Sequence, residues 1–356
     1  MISKPEMHGL QGDAALTDTI LLEAAERLFA DTVTPSVLAA AERSEFPRAA
    51  WDALAEAGLH LALLPEEAGG FGVPIPEALT LLRVAGRHAL PLPLAETMLA
   101  GWLLAGASIP VPTGPLTIAS GLTLDAKGHL SGTILGVAWG RNADAIAVLT
   151  ERDGMPLVAL VTDGFAAVET TNIAREPRDA VTFDATPAAI APASITPLQL
   201  RAAGAATRTL MIAGALERAT AMTTQYALDR SQFGRPIGRF QAIQHSLATL
   251  AAQTAAAVAA GDIAAEAFTT LSIPAIAAAK SRAAEAAGIG AGLAHQIHGA
   301  IGFTYEHSLH FLTKRLHAWR DEYGGEAEWS ERLGRHLAAG GADALWPTLT
   351  AIGGTR

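Results

Sequence analysis

The stretch YALDRSQFGRPIGRFQAIQH, residues 226–245, decides the interpretation of this chain. Its pattern predicts a helix that ends near Arg230 and a second helix that begins near Phe240, with glycine and proline between them. The intervening turn gathers an aromatic ring and three guanidinium groups: Phe233, Arg230, Arg235 and Arg239. Arginine binds phosphate oxygens in bidentate fashion and a helix N-terminus adds positive charge, so this turn suits a pyrophosphate beside a planar ring. Composition alone favours the plainer alternative, an ordinary helix–helix turn with solvated arginines.

Composition excludes several classes of protein. The 356 residues allow two or three domains, and the absence of cysteine excludes disulfides, zinc–thiolate sites and a cysteine nucleophile. The 25 Lys and Arg residues are outnumbered by 35 Asp and Glu, a net charge of −10 that argues against a dedicated nucleic-acid binder. Half of the residues are apolar and only 17% are charged, which argues against disorder.

The apolar residues are predicted to lie inside a soluble, cytoplasmic protein. The first twenty residues contain charged side chains and no continuous apolar segment, so we expect no signal peptide. The alanine-rich stretches are interrupted by charged and amide side chains, so we expect no membrane span. The mean hydropathy of +0.27 is then explained by alanine and by buried interfaces between subunits.

The chain divides into three predicted domains: a helical domain over 1–109, a β domain over 110–197 and a helical bundle over 198–356. Short β-branched runs about ten residues apart predict a small antiparallel sandwich or barrel in the middle domain. Pro187, Pro192 and Pro197 are interpreted as a linker. Long helices are predicted over about 198–230, 240–269, 273–299, 306–318 and 326–340. The fold is therefore mainly α with a small β domain.

A second motif, AHQIHGAIGFTYEHSLH, occupies residues 294–310. Gly299 and Gly302 are expected to end a long helix in a tight turn, with Gln296 placed to hydrogen-bond a ligand just before it. Two His–His pairs with a spacing of three residues suggest a metal, but no carboxylate stands at a supporting spacing, so we predict no metal site.

A third motif, KRLHAWRDEYGGEAEWSERLGRH, occupies residues 314–336. Its acidic pair Asp321–Glu322 precedes Tyr323 and two glycines. A carboxylate in such a turn can act as a general base when it is buried. The alternative is a capped and solvated turn.

Together with LLPEEAGGFG, residues 63–72, these motifs resemble the acyl-CoA dehydrogenase family, collinearly over about residues 17–340. The resemblance implies a helical N-terminal domain, a middle β-sandwich or barrel, a C-terminal four-helix bundle, and a homo- or hetero-oligomer, typically a dimer of dimers. It also implies α,β-desaturation of an acyl-CoA substrate with FAD and an electron-transfer acceptor. The residues that correspond to family cofactor contacts are Arg230, Gln232, Phe233, Gln296, Gly299 and, beside the flavin, Trp139. The resemblance implies that Gln296 and Gly299 make their contacts across a subunit interface.

The chain departs from the family pattern at the base. Tyr323 occupies the position of the usual catalytic Glu, and Glu322 stands one residue early. The other family position falls in RAAGAATR, residues 201–208, which contains no carboxylate. The family's Thr-Glu-Pro flavin motif is also missing from residues 113–132.

These departures resemble the short subunits of heteromeric enzymes that act on steroid side chains. Three interpretations stay open: a dehydrogenase subunit with Glu322 as base, a catalytically degenerate subunit that completes the FAD site of a homologous partner, and a flavin-independent homologue that performs hydration or another thioester reaction.

Overall fold

The computed structural model describes residues 9–352, and side chains from residue 20 onward. Five α-helices open this part of the chain: α1 (Gly9–Thr32), α2 (Pro35–Ala41), α3 (Arg48–Glu56), α4 (Ile75–Arg87) and α5 (Leu94–Gly106). Helix α5 is apolar on almost every side, and it is accordingly buried throughout most of its length. It packs beneath the sheet that follows and so joins the helical part to the β part.

Seven strands form two sheets: β1 (Leu116–Thr123), β2 (Leu130–Ala138), β3 (Ala145–Arg152), β4 (Met155–Val161), β5 (Phe165–Val168), β6 (Arg178–Ala185) and β7 (Ala189–Pro192). The strand orders are β1-β3-β4-β7 and β2-β6-β5. Apolar side chains of both sheets, among them Val148 and Phe183, are buried together between the layers. The predicted sandwich is therefore present.

Two details of the predicted β domain are wrong. The strands are not all antiparallel, because β1 and β3 pair in parallel, with Leu116 opposite Ala145. The intervening β2 belongs to the other sheet, so the chain crosses over and returns in the same direction. Pro192 is also not in a linker: it ends β7 and lies opposite Leu157 on β4.

The C-terminal part consists of α6 (Pro197–Asp229), the short hairpin β8 (Ser231–Gln232) and β9 (Arg235–Pro236), α7 (Gln241–Phe268), α8 (Ile273–His298), α9 (Leu309–Trp319), α10 (Glu326–Gly340) and α11 (Ala342–Ile352). The five predicted long helices are confirmed within a few residues, and α11 is additional. A capping box between Thr196 and Gln199 starts α6. Helices α4 and α6 approach so closely that Gly214 has no room for a Cβ beside the Arg83 carbonyl.

Helix α7 is the one described helix that is long and apolar enough, by length and composition alone, to span a membrane. The prediction that charged and amide side chains exclude every membrane-spanning segment is therefore wrong for α7 on length and composition. A third of its most apolar window is buried, and α7 packs against α6 and α8. Helix α7 therefore packs as a bundle helix, and the apolar face that it turns away from α6 and α8 is not covered by the described residues.

Candidate functional site

Two cavities contain the residues that the sequence singles out. The first, which we call the turn cavity, has a volume of about 530 Å³ and lies between the 230–243 segment and the end of α8. Five of the six proposed cofactor residues line it: Arg230, Gln232, Phe233, Gln296 and Gly299. The sequence motifs at 226–245 and 294–310 are thus brought together in space.

The turn itself presents its aromatic ring outward. Helix α6 ends at Asp229, and the β8–β9 hairpin places Phe233 at its tip with a positive φ of 52°. This backbone conformation is uncommon for a bulky residue and is found mostly where the surrounding structure enforces it. Phe233 is 92% exposed. Its ring is therefore available to a ligand or a second subunit.

The other wall of the turn cavity is the end of α8. The helix stops at His298 because Gly299 takes a positive φ of 63°. Gln296 lies one turn earlier and is exposed, whereas His298 is buried. The amide of Gln296 and the guanidinium of Arg230 are consequently free to face the same ligand.

The sixth proposed cofactor residue, Trp139, lines neither the turn cavity nor the second cavity described below. It is 5% exposed and contacts the ring of Phe46 edge-on, with ring centroids 6.2 Å apart. Its neighbour Ala138 lines the second cavity. Trp139 thus lies behind the wall of that cavity, and its role beside a flavin stays a prediction.

The second cavity, which we call the sheet–bundle cavity, has a volume of about 670 Å³. It lies between β1, β2 and α6, beside the loop that follows α9. Its apolar wall includes Ile118, Ile134, Leu135, Val137, Leu198 and Leu200, and its polar wall includes Ser120, Arg178, Arg201, Arg208, Glu322 and Tyr323. Both residues proposed for catalysis therefore lie at the same cavity.

Glu322 is held by two arginines and an amide. Its Oε1 accepts from Arg178 Nε at 2.8 Å and from Asn172 Nδ2 at 2.9 Å, and its Oε2 accepts from Arg208 Nε at 2.6 Å and Arg178 Nη2 at 2.8 Å. Arg208 also pairs with the buried Glu96 of α5. The network therefore ties together the helical part, the sheet and the bundle.

These contacts set the charge of Glu322. Burial favours the neutral carboxyl, but the guanidiniums of Arg178 and Arg208 outweigh it and lower the pKa of Glu322 to about 2. A carboxylate with so low a pKa is a weak acceptor for a substrate proton, since a general base works best with a pKa near the operating pH.

Tyr323 is fixed in place by packing. It has a positive φ of 55°, its ring covers Gly204 of α6 so closely that a Cβ there has no room, and the Arg208 guanidinium lies 5.3 Å from its ring centre. Burial raises the pKa of Tyr323 to about 12. The hydroxyl therefore stays protonated and can donate a hydrogen bond but cannot abstract a proton at neutral pH.

Sequence reasoning missed the partners of Glu322 and a buried lysine beside them. Lys280 is fully buried, and its Nζ donates to the carbonyls of Trp319 and Arg320 at 3.1 and 2.6 Å, at the end of α9. Burial lowers the pKa of Lys280 to about 7. One signal in the sequence could have indicated the buried charges of this network: a single charged residue within an otherwise apolar helical stretch. Glu96 in PLPLAETMLAGW, residues 91–102, and Arg208 in TRTLMIAGA, residues 207–215, are examples.

The two His–His pairs do not converge on one point. His298 lines the turn cavity, whereas His295 and His310 line a separate cavity of about 290 Å³. No group of three or more His, Asp or Glu side chains suited to a metal occurs among the residues that the structure describes.

Residues 17–108 match the family model for the acyl-CoA dehydrogenase N-terminal domain, and residues 202–329 match the model for the C-terminal domain. The chain is 30% identical over 322 residues to the acyl-CoA dehydrogenase IpdE2 of Mycolicibacterium smegmatis, covering 88% of this chain and 96% of that protein. It is 31% identical to IpdE2 of Mycobacterium tuberculosis, covering 84% of this chain and 90% of the relative.

Solved structures show the same architecture. A variant of the Tcur3481-Tcur3483 steroid ACAD matches with a TM-score of 0.83 and 27% identity, covering 92% of this chain and 99% of that one. The ChsE4-ChsE5 complex from Mycobacterium tuberculosis matches with a TM-score of 0.81 and 25% identity, covering 90% and 97%. The helical, β and bundle parts occur in the order that the resemblance implied, and both helical regions match their family models. This chain is therefore a member of the acyl-CoA dehydrogenase family.

Proposed function

We propose that this chain is an acyl-CoA dehydrogenase subunit that contributes the turn cavity to an FAD site shared with a homologous partner, which supplies the catalytic base. One contrast carries the proposal. The turn cavity keeps its five proposed cofactor residues around one space, while Glu322, the carboxylate nearest the family base position, is bound by two guanidiniums.

The residues of the turn cavity fit the nucleotide end of FAD. Arg230 provides a charge for the pyrophosphate, the amides of Gln232 and Gln296 provide donors, and the exposed ring of Phe233 provides a stacking surface. In this family FAD supplies the acceptor for the hydride that leaves the acyl β carbon, and an electron-transfer acceptor then takes the electrons.

This chain's own residues would bind the cofactor and orient the substrate, and they would not move a proton. The Arg178–Glu322–Arg208 network keeps the loop after α9 fixed against the sheet, and Tyr323 closes that side of the sheet–bundle cavity. The substrate we propose is a lipid or steroid acyl-CoA, since one of the matched structures is a steroid enzyme.

Absorbance at 450 nm tests the proposal. The chain is purified alone and after co-expression with a homologous acyl-CoA dehydrogenase subunit from the same organism. We expect flavin to be retained, with higher occupancy in the co-expressed form. Absence of flavin from both forms, together with no binding of added FAD, would contradict the proposal.

Replacing Arg230 with alanine is expected to weaken FAD binding by about 10- to 100-fold, because a hydrogen bond to a charged group contributes roughly 1.5–3 kcal/mol. Titration of the apoprotein with FAD, followed by flavin fluorescence, measures the change. Arg239→Ala is the matched control, since Arg239 lies in the same turn but does not line the cavity. Equal affinities for the Arg230 variant and wild type would remove Arg230 from the site.

We also expect the chain to form at least a dimer. Phe233 at the turn cavity is 92% exposed, and Phe303 and Tyr305, which line the separate cavity of about 290 Å³, are 69% and 81% exposed. Helix α7 also has an apolar face that the described chain leaves uncovered. Obligate interfaces of this kind commonly bury more than ~2,000 Å². Sedimentation at micromolar concentration measures the state, alone and with the homologous subunit, and a clean monomer in both would oppose the expectation.

A further inference from the structure

The loop between α8 and α9 is mostly exposed and forms part of the wall of two cavities. This loop, residues 299–308, which we call the aromatic segment, contributes residues 299–301 to the turn cavity. It also contributes Phe303 and Tyr305 to the cavity of about 290 Å³. Gly302 is the only buried residue of this fully described segment. Contacts of a few side chains, rather than burial in a core, therefore hold the segment in place.

Three side chains at alternating positions of the aromatic segment carry rings, and each ring contacts a different histidine of the flanking helices. The ring centroids lie 4.1 Å apart for Phe303 and His295, 5.2 Å for Tyr305 and His310, and 4.6 Å for His307 and His298. His295 and His298 lie in the last turn of α8, and His310 lies in the first turn of α9. We call these three residues the helix histidines. They connect the segment to both of the helices that it joins.

Each helix histidine has one ring nitrogen that is buried and has no hydrogen-bond partner among the described residues. These nitrogens are Nδ1 of His295 and Nε2 of His298 and His310. The aromatic segment covers the first of them closely, since a Cβ at Gly302 would lie only 3.2 Å from His295 Nδ1. A buried polar atom without a partner costs free energy, so three of them in one cluster call for an explanation.

The other nitrogen of each helix histidine is already engaged. Nδ1 of His298 lies 2.8 Å from the carbonyl oxygen of Ala294, and Nδ1 of His310 lies 2.8 Å from that of His307. A carbonyl can only accept, so both rings carry their hydrogen on Nδ1 and a lone pair on the buried Nε2. Nε2 of His295 lies 2.7 Å from the Thr313 hydroxyl. A second proton on any of these rings would therefore occupy the nitrogen that has no acceptor.

Protonation of the cluster is unfavourable for this reason, because it would place a charged N–H in a buried position with no partner. Burial accordingly lowers the pKa of all three helix histidines, and also of His307 and His317 beside them. The rings are neutral at neutral pH. Their contribution to stability is fully present above the ordinary imidazole value of 6.5 and is lost as the pH falls below it.

The charges around the cluster do not offset this cost. Glu42, at the end of α2, faces His310, but its carboxylate is bound by Lys314 Nζ at 2.8 and 2.9 Å. Tyr226 of α6 stacks on His298 with ring centroids 4.4 Å apart and brings no charge at neutral pH. The remaining charged or titratable groups are Lys314, Arg315 and His317 on α9, Arg320 and Asp321 after it, and the exposed Glu306 on the segment itself.

We propose that the helix histidines form an acid-sensitive latch, which holds the aromatic segment against α8 and α9 while the rings are uncharged and releases it when they are protonated. Release removes one wall of the turn cavity and one wall of the cavity of about 290 Å³. The helices themselves stay folded, because their buried faces pack in the main core and not on the segment. This device goes beyond the proposed function and does not depend on it.

Hydrogen exchange followed by mass spectrometry tests the latch. The full chain is compared at about pH 7.5 and about pH 5.5, on either side of the ordinary imidazole pKa, with exchange rates corrected for their intrinsic dependence on pH. Protection of peptides that cover the aromatic segment is expected to fall by about 10- to 100-fold, since each imidazole with a lowered pKa contributes up to about tenfold per pH unit. Peptides from the centre of α6 should keep their protection.

A combined variant removes the titration and keeps the existing hydrogen bonds. In His298→Asn and His310→Asn the amide nitrogen stands near the Nδ1 position, and in His295→Gln the amide stands near Nε2. Protection of the segment in this variant should differ by less than about threefold between the two pH values. His336→Asn is the matched control, since His336 is exposed on α10 and lies outside the cluster, and it should keep the full response of wild type.

Three results would each overturn the proposal. The first is equal protection of the wild-type segment at both pH values. The second is a response to pH that is unchanged in the combined variant. The third is a parallel loss of protection in α6, because the chain would then unfold globally and not at the segment. If the combined variant does not fold, or leaves the segment open at both pH values, the single variants provide the test: each should reduce the response, and three unchanged responses would refute the latch.

Discussion

Replacing Arg208 with leucine is expected to lower the free energy of unfolding by about 3–5 kcal/mol, the usual cost of removing one partner from a buried ion pair. Arg208 is 1% exposed, and its guanidinium is bound to both Glu96 and Glu322. Leucine would leave Glu96, itself 2% exposed, as a buried carboxylate without this partner. Urea unfolding of the purified chain at neutral pH, followed by circular dichroism, measures the loss.

The matched control is a salt bridge of similar chemistry at the surface. Arg335 pairs with Glu331 one helical turn away on α10, with side-chain exposures of 77% and 61%. Arg335→Leu should therefore change the free energy of unfolding by less than about 1 kcal/mol. If the two leucine variants had similar small effects, the network would not contribute to stability as its burial implies.

The stability difference should also depend on pH. The pKa of Glu322 is lowered from 4.5 to about 2 in the folded chain, so its ion pairs stabilise the fold fully above pH 4.5 and lose this contribution as the pH falls toward 2. The Arg208 variant lacks part of that contribution. The difference in the free energy of unfolding between wild type and the Arg208 variant should consequently be largest at neutral pH, and it should decrease as the pH falls below about 4.5.

Each wall of the turn cavity was predictable because it is encoded locally. The helix stop at Asp229, the glycine and proline of the turn, and Gly299 after α8 are all readable from neighbouring residues, and the structure places them as expected. What joins the two walls is the packing of α6 against α8, which was not predicted, because a local pattern does not state which helices of a bundle are neighbours.

The ion network was not predictable, for a physical reason. Glu96, Arg208 and Glu322 are separated by more than a hundred residues each, and nothing in a single sequence states which distant charges meet. A lone charge in an apolar helix signals that a partner exists without naming it. The parallel pairing of β1 with β3 was missed similarly, since local alternation predicts strands but not their order in a sheet.

The second large effect concerns the base. The chain alone is expected not to dehydrogenate acyl-CoA with an artificial electron acceptor. The complex with a homologous subunit that contains the base is expected to catalyse this reaction. A positioned general base typically contributes ~10²–10⁴-fold to the rate, so substituting the partner's carboxylate with glutamine should lower turnover by at least about 10². Rates are normalised to bound flavin, so that occupancy does not enter the comparison.

Glu322→Gln in the same complex should leave turnover per flavin within about threefold of wild type, since the charge of this carboxylate is already committed to Arg178 and Arg208. Glutamine preserves its size and part of its hydrogen bonding, so the site should keep its shape. Turnover by the chain alone that is abolished by Glu322→Gln would make Glu322 the base after all, and would require the loop after α9 to release it from both arginines. A proton acceptor with a pKa of about 2 is far from the operating pH, and that mismatch is why we expect the base to come from the partner.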